Sequence, residues 1–195
     1  MQVKICGITR MEDGVYAYES GADLIGVVLS SASPRKGSME LVRLLAKEEM
    51  PVVAVHTSID DALRMEGDEK YVQLHFNTSE EEIEKAEQNG RKVITVVNID
   101  GPDYLEYFNR IRPESDLVLL ESRNGISHEM GKIAGILDDD TGIAGKIGPE
   151  NIRSLVSYNP GFVDLSSSLE ISPGKKDTNL VDSFFRRLKN AEITN

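Results

Sequence analysis

Short apolar runs recur along the chain and alternate with longer segments that mix polar and apolar residues. Each run is rich in Val, Ile and Leu, which is typical of strands buried on both faces of a parallel sheet. The runs begin 19 to 28 residues apart. We predict eight strands from them, at residues 3–6, 24–29, 52–55, 71–74, 92–97, 117–120, 142–144 and 162–165.

Helix signals lie between these runs. Ser79 is followed by three glutamates, and the third of them, Glu82, completes a capping box. Pro149 stands in the first turn of another predicted helix, and residues 178–189 have an amphipathic pattern. The segment 121–141 carries the weakest signal and fits either a loop or a short helix. Strands that alternate with helices indicate right-handed βαβ units and a parallel sheet.

The number of units decides between two parallel-sheet folds. Eight units in 195 residues leave about 24 residues for each, close to the lower limit of ~200 residues for a (β/α)8 barrel. A doubly wound open sheet usually has fewer strands and carries G-x-G-x-x-G after the first, where this chain has Cys6-Gly7-Ile8-Thr9. We therefore predict a compact (β/α)8 TIM barrel, an α/β fold, as one domain over residues 1–195.

Composition and charge exclude several classes of binding partner. Acidic residues outnumber basic ones 33 to 22, for a net charge of −11. Such a surface repels nucleic acid and anionic membranes, although a small anionic ligand can bind where basic groups gather. The single cysteine excludes an intrachain disulfide framework and a cysteine-rich zinc site. No apolar run approaches 18 residues and the N-terminus has no signal-peptide layout, so we expect a cytoplasmic protein.

Polar residues follow several of the predicted strands at the end where a barrel of this kind performs its chemistry. Side chains alternate along a strand, so Cys6 shares a face with Lys4, and His75 shares one with Gln73. By the same parity, Glu121 ends strand six on the face of Leu119, and Asp164 and Ser166 share a face at strand eight. We expect these four sets of side chains to meet in one pocket.

Several motifs follow one another in the order and at the spacing of a known enzyme family. Because of these motifs, the chain resembles the phosphoribosylanthranilate isomerase family of tryptophan biosynthesis. The motifs are Lys4-Ile5-Cys6-Gly7-Ile8-Thr9, Ser20-Gly21-Ala22-Asp23-Leu24-Ile25-Gly26 before Ser33-Pro34-Arg35, Val72-Gln73-Leu74-His75, Gly148-Pro149-Glu150-Asn151-Ile152, and Val163-Asp164-Leu165-Ser166-Ser167 before Glu170 and Pro173-Gly174-Lys175-Lys176-Asp177.

The resemblance implies the (β/α)8 fold, a reaction and two catalytic residues. The reaction is the Amadori rearrangement of N-(5-phosphoribosyl)anthranilate to 1-(2-carboxyphenylamino)-1-deoxyribulose 5-phosphate, with no metal and no cofactor. Cys6 matches the base that takes the C2 proton, and Glu121 matches the acid, an aspartate in the family, that protonates the furanose oxygen. Free thiols titrate near ~8.5 and free glutamates near ~4.3, so we expect both pKa values to move toward neutrality.

Further residues are expected to bind the substrate. Arg35 matches the family arginine that holds the anthranilate carboxylate, and Asp164 is a second expected substrate contact. His75 is equally consistent with a substrate contact and with a structural histidine. His56 has no family counterpart, and we interpret it as structural. Barrel geometry places the phosphate at the loops after strands seven and eight, where we expect Gly145, Lys146, Ser166 and Ser167 to bind it, with Gly148 and Ser168 nearby.

The chain also departs from the family pattern. Glu121 is one methylene longer than the usual aspartate, Lys146 and Ser168 stand where glycines are usual, Phe76 replaces a glycine, and residues 124–127 lack the expected GGTG-type segment. These departures leave two alternatives open: a barrel that acts on another sugar phosphate, and a non-catalytic protein that binds a phosphorylated ligand. Cys6 and Arg35 argue against both, because neither is needed only to hold phosphate. Monomer and homodimer are both open.

Overall fold

The computed structural model describes residues 1–64, 67, 69–88 and 90–194 and forms a closed barrel of eight parallel strands. Each strand pairs with the next along the chain, and β1 also pairs with β8, where Val3 is in register with Val163. The barrel prediction is confirmed, and no strand begins or ends more than one residue from its predicted position. The strands are β1 Gln2–Ile5, β2 Leu24–Val28, β3 Val52–His56, β4 Tyr71–Leu74, β5 Lys92–Asn98, β6 Leu117–Glu121, β7 Thr141–Ala144 and β8 Phe162–Leu165.

Helices follow the strands on the outside of the barrel. The Ser79 hydroxyl accepts a hydrogen bond from the backbone N–H of Glu82, whose carboxylate accepts one from the N–H of Ser79, as the capping box requires. The helices are α1 Met11–Glu19, α2 Met39–Lys47, α3 Ile59–Arg64, α4 Glu80–Glu87, α5 Tyr104–Ile111, α6 Met130–Ile133, α7 Ile152–Val156 and α8 Thr178–Thr194.

The segment after β6 contains little regular structure. Between Glu121 and Thr141 the chain forms the four-residue helix α6 with short 3-10 turns at Ile126–His128 and Ala134–Ile136 on either side. Of the two alternatives left open for this segment, a loop and a short helix, the structure shows a short helix within largely irregular chain. Within the described ranges, no helix combines the length and the apolar character needed to cross a membrane.

Apolar side chains pack in two layers that the alternation along each strand separates. Val3 and Ile5 face outward and join the larger layer between strands and helices, whereas Cys6 belongs to a smaller cluster inside the barrel with Val53 and Phe162. The parity prediction for β1 is therefore confirmed.

After β8 the chain forms a small hairpin that the sequence analysis did not predict. Its strands are β9 Glu170–Ser172 and β10 Lys175–Lys176, paired antiparallel. The Thr9 hydroxyl donates to the carbonyl of Gly174 at 2.5 Å, which ties the hairpin to the loop after β1. The hairpin therefore lies against the end of the barrel where the polar strand ends meet.

Candidate active site

A pocket of about 420 Å³ opens at the carboxyl ends of the barrel strands. All nine residues that the sequence analysis selected line it, so the expected convergence is found. They are Cys6, Arg35, His75, Glu121, Gly145, Lys146, Asp164, Ser166 and Ser167. Their common placement is a structural finding, while the role of each stays a prediction.

Cys6 lies just beyond β1 with its side chain directed into the barrel. Its backbone N–H donates to the carbonyl of Leu165 at 2.8 Å, which fixes it beside β8. Gly26 on β2 leaves room for the thiol, since a Cβ there would lie 2.8 Å from Sγ and 3.0 Å from Cα of Cys6. Burial raises the pKa of the Cys6 thiol, although the charges of Lys4 and Lys176 act in the opposite direction. The thiol therefore lies in a packed, low-dielectric position.

A buried ion pair lies directly beside this thiol. Lys4 Nζ is 2.7 Å from Oδ2 of Asp164, and no part of the Lys4 side chain is exposed. Burial acts to lower the pKa of Lys4, but the charges of Asp164 and Cys6 outweigh it, so the ammonium form is favoured. Oδ1 of Asp164 is buried and has no hydrogen-bond partner among the described residues. Asp164 thus lines the pocket with one carboxylate oxygen unpaired and shielded from solvent.

Glu121 lies across the pocket at the end of β6, in contact with His75. Its Oε2 is 3.3 Å from Nε2 of His75, whose Nδ1 is 3.4 Å from Nε2 of Gln73. Burial acts to raise the pKa of Glu121, but the hydrogen bond and charge of His75 outweigh it, so the pKa lies below its usual value. His75 therefore contacts the expected acid, a partnership that the sequence analysis did not foresee.

The expected directions of the pKa shifts of Cys6 and Glu121 are wrong for this structure. The thiol pKa of Cys6 was expected to fall, and burial raises it. The carboxyl pKa of Glu121 was expected to rise, and His75 lowers it. The expectation was built from the demands of the reaction, whereas burial and the nearest partner determine both shifts.

Arg35 reaches the pocket after β2 and is held by the hairpin. Its Nε lies 2.9 Å from both carboxylate oxygens of Glu170, and its Nη2 lies 2.8 Å from Oε2. Gly7 has a φ of 76°, and a Cβ there would lie 2.7 Å from Cδ of Arg35 and 2.9 Å from Oγ of Ser166. Glycine at position 7 therefore fits both the backbone angle and the close approach of the arginine stem.

The loop after β7 approaches the loop after β6 closely. Gly145 has a φ of 121°, and a Cβ at this position would collide with the backbone carbonyl of Ser122. The carbonyl of Gly145 accepts a hydrogen bond from the N–H of Ile126 at 3.0 Å. Lys146 follows with a φ of 53°, in the left-handed region where the family has glycine, and its stem packs over Gly125.

Asn151 and Ser168 stabilise the loops after β7 and β8, a role that the sequence analysis gave to neither residue. The Oδ1 atom of Asn151 accepts from the N–H of Gly148 at 2.9 Å, and its amide donates to the carbonyl of Lys146 at 2.9 Å. The hydroxyl of Ser168 donates to the carbonyl of Ile147 and so joins the loop after β8 to the loop after β7. Ser168, in the place of the family glycine, therefore makes a loop-to-loop contact.

His56 and the aspartates just before β7 lie outside the pocket. His56 faces the helices and is almost fully buried, as expected of a structural residue. Asp138 and Asp140 both pair with Arg112, at 2.9 and 3.1 Å. Among the residues that the structure describes, no group of three or more His, Cys, Asp or Glu side chains could hold a metal ion.

A closed parallel barrel whose strand ends gather a thiol, carboxylates and cations in one pocket defines a (β/α)8-barrel enzyme for a small anionic substrate. The sequence model of one family, described as N-(5'phosphoribosyl)anthranilate (PRA) isomerase, matches residues 3–187. This chain belongs to that family, as the resemblance implied.

Relatives and solved structures agree with this assignment. A protein from Thermoplasma volcanium named N-(5'-phosphoribosyl)anthranilate isomerase is 39% identical over 191 residues, which are 98% of this chain and 97% of the relative. The phosphoribosyl anthranilate isomerase of Thermotoga maritima has a TM-score of 0.88 at 30% identity, over 97% of this chain and 99% of that one. A further isomerase structure, at a TM-score of 0.84, 30% identity and the same coverage, is described as a complex with reduced 1-(o-carboxyphenylamino)-1-deoxyribulose 5-phosphate.

Proposed function

We propose that this chain catalyses the Amadori rearrangement of N-(5'-phosphoribosyl)anthranilate to 1-(2-carboxyphenylamino)-1-deoxyribulose 5-phosphate in tryptophan biosynthesis. The observation that carries the proposal is the placement of Cys6 and Glu121 in one pocket of a family member, with Arg35 and Lys146 at the same mouth. A thiol and a carboxyl that share a pocket can serve as the base and the acid of one proton-transfer reaction.

The proposed reaction uses two proton transfers by side chains. Glu121 donates a proton to the furanose oxygen as the C1–O bond breaks, and the open chain becomes a protonated Schiff base with the anthranilate nitrogen. Cys6 then takes the proton from C2, and the electron pair of that C–H bond forms the C1=C2 bond of an enolamine. Protonation at C1 and loss of the C2 hydroxyl proton give the ketone product. The steps are proton transfers, so no cofactor is invoked.

Substrate binding favours the protonated form of Glu121, which the reaction needs. Its pKa is held below the usual value by His75, so the free carboxyl is ionised at neutral pH. A bound substrate displaces water from the pocket, and the loss of water favours the neutral form of a carboxyl. We infer that Glu121 gains its proton as the pocket is filled.

The remaining expected residues hold the two anionic ends of the substrate. Arg35 binds the anthranilate carboxylate, for which its planar donors are suited. Lys146 and the backbone of Gly145 bind the phosphate together with Ser166 and Ser167. Asp164 contacts the ribose part of the substrate from the pocket wall, and His75 acts through its contact with Glu121.

Three finer expectations stay predictions beside this function. They are the cytoplasmic location, the extent of the barrel domain over residues 1–195, and the assembly as a monomer or a homodimer. A solved structure of the Thermotoga maritima isomerase is described as monomers generated from a dimeric protein. Sedimentation of the purified chain will distinguish the two assemblies here.

The experiment is a fluorescence assay in which the purified protein consumes phosphoribosylanthranilate. We expect an enzyme-dependent fluorescence change and a product of unchanged mass, because the reaction is an isomerisation. A protein that binds inorganic phosphate but leaves the substrate unconverted would contradict the proposal and favour the non-catalytic alternative. Conversion of a different sugar phosphate alone would favour the altered-substrate barrel.

A further inference from the structure

The hairpin after β8 contributes two buried charged residues to which the proposed function gives no role. The Glu170 side chain is 3% exposed and that of Lys176 is 2% exposed, and their charged atoms lie 2.9 Å apart. Buried charges are costly unless they are paired and hydrogen-bonded. The hairpin has only five strand residues, and two of them are buried charges. We therefore expect these two charges to serve a function.

The ammonium group of Lys176 donates three hydrogen bonds at the pocket end of the barrel. Nζ donates to the carbonyl of Cys6 at 2.7 Å, to the carbonyl of Ser166 at 3.2 Å and to Oε1 of Glu170 at 2.9 Å. One cation thereby joins the ends of β1 and β8 to Glu170. Burial acts to raise the pKa of Glu170, but Arg35 and Lys176 outweigh it, so the carboxylate stays ionised.

Glu170 in turn engages one edge of the Arg35 guanidinium. The contact uses Nε and Nη2, with the distances of 2.8–2.9 Å given above. Glu170 is the one side chain among the described residues that pairs with this guanidinium. The adjacent edge, formed by Nη1 and the second hydrogen of Nη2, has no side-chain partner among the described residues and keeps its donors for a second planar carboxylate.

The stem of Arg35 is confined as well as its head. The position of Gly7 against Cδ leaves no room for a side chain between β1 and this stem. A long arginine side chain otherwise loses considerable rotamer freedom when it binds a ligand. The guanidinium and the stem of Arg35 are both held before the substrate binds, so the loss of rotamer freedom occurs during folding. The unpaired edge of the guanidinium therefore already has a defined direction when the substrate arrives.

We propose that Glu170 is a positioning residue that aims Arg35 at the aromatic carboxylate of the substrate, and that Lys176 holds Glu170 in place. The inference rests on the proposed function, in which Arg35 binds the anthranilate group. It gives a reason for the buried charges of the hairpin and for the Glu170 and Lys176 positions of the family motif.

The test is Glu170→Gln, which keeps the shape of the side chain and removes its charge. We expect KM for phosphoribosylanthranilate to rise about ten-fold, the usual scale for disturbing one charge-assisted contact. We expect kcat to stay within about three-fold, because Cys6 and Glu121 are untouched. Inhibition by ribose 5-phosphate, which lacks the aromatic carboxylate, should not change. Glu170→Asp keeps the charge and should recover part of the affinity.

A double-mutant cycle shows whether Glu170 acts through Arg35. In an Arg35→Ala background, Glu170→Gln should add no further increase in KM. The matched control is Glu81→Gln, which breaks an exposed pair with Lys85 at 2.7 Å on α4 and should leave both constants unchanged.

The outcomes separate positioning from a structural role. An unchanged KM in Glu170→Gln, or the same increase with and without Arg35, would overturn the proposal. So would a joint loss of kcat, substrate affinity and ribose 5-phosphate inhibition, since that pattern marks general damage. Anthranilate binding, followed by its own fluorescence, tests the proposal without turnover: weaker binding to Glu170→Gln supports it, and equal binding overturns it even if the wild-type protein converts no substrate.

Discussion

Replacing Glu121 by glutamine removes the proposed proton donor and little else. Gln has the same length as Glu, so it can still reach Nε2 of His75, which lies 3.3 Å from the carboxylate in the structure. It has no acidic proton to give to the furanose oxygen. Removal of a general acid usually costs about 10²–10⁴-fold in rate, so we expect kcat to fall on that scale.

Glu121→Asp restores the family residue but shortens the side chain by one carbon–carbon bond, about 1.5 Å. Added to the 3.3 Å contact, this moves the carboxylate to roughly 5 Å from His75 if the strand does not shift. The carboxyl retreats from the furanose oxygen as well, and proton transfer needs heavy atoms within roughly 2.6–3.2 Å, so part of the rate should be lost. We expect a decrease of about ten-fold, which places Asp between wild type and Gln.

Both variants are assayed by substrate fluorescence across pH, with the melting temperature as a control for folding. The limb of the pH–rate profile that belongs to the acid should be present in wild type and in Glu121→Asp and absent in Glu121→Gln. Full activity of Glu121→Gln would refute the reasoning, because another group, such as Asp164 or a water, would then protonate the ring oxygen.

Three further predictions concern other parts of the molecule. Arg35→Ala should weaken substrate binding and leave inorganic phosphate binding nearly intact, and Lys146→Ala should do the reverse; equal effects on both ligands, measured by calorimetry, would refute two separate subsites. The pKa of His56 is lowered to about 4, chiefly by burial, so its contribution to stability is present above pH ~6.5 and is lost as the pH falls toward 4. Between pH 7 and 5, urea titrations should therefore show wild type losing about 2 kcal/mol more unfolding free energy than His56→Gln; equal losses would contradict this. Lys4→Met should slow iodoacetamide alkylation of the one cysteine, Cys6, several-fold at pH 8, and an unchanged rate would show that Lys4 does not favour the thiolate.

The barrel and the members of its pocket could be predicted because their signals are local. Buried runs of Val, Ile and Leu mark each strand, and the parity of a strand determines which polar end residue faces inward. This parity alone places Cys6, His75 and Glu121 on the inner face of the barrel. The motifs then supplied the chemistry that the pattern alone does not contain.

The partners of these residues could not be predicted, because they depend on how distant segments meet. Lys4 and Asp164 are 160 positions apart, and they pair because β1 and β8 close the barrel. Arg35 and Glu170 are 135 positions apart, and they meet because a hairpin of very short strands folds back over the pocket. Strands of two and three residues carry no alternation from which such a hairpin could be inferred.

The expected directions of the pKa shifts of Cys6 and Glu121 are wrong for the same reason. Sequence reasoning supplied reference values and the needs of the reaction, but a pKa shift follows from burial and from the nearest charge. The thiol of Cys6 is enclosed between β1 and β2, and Glu121 meets His75 from β4. Neither environment is visible in a strand pattern.

The central claim is that Cys6 takes the C2 proton in a rearrangement of phosphoribosylanthranilate, and the most direct measurement compares kcat of wild type and Cys6→Ser. Serine nearly keeps the volume of cysteine but is too weakly acidic to act as this base. We expect kcat to fall by about 10²-fold or more with little change in melting temperature. A Cys6→Ser protein of near-wild-type activity would contradict the account and leave Cys6 as a packing residue of the barrel.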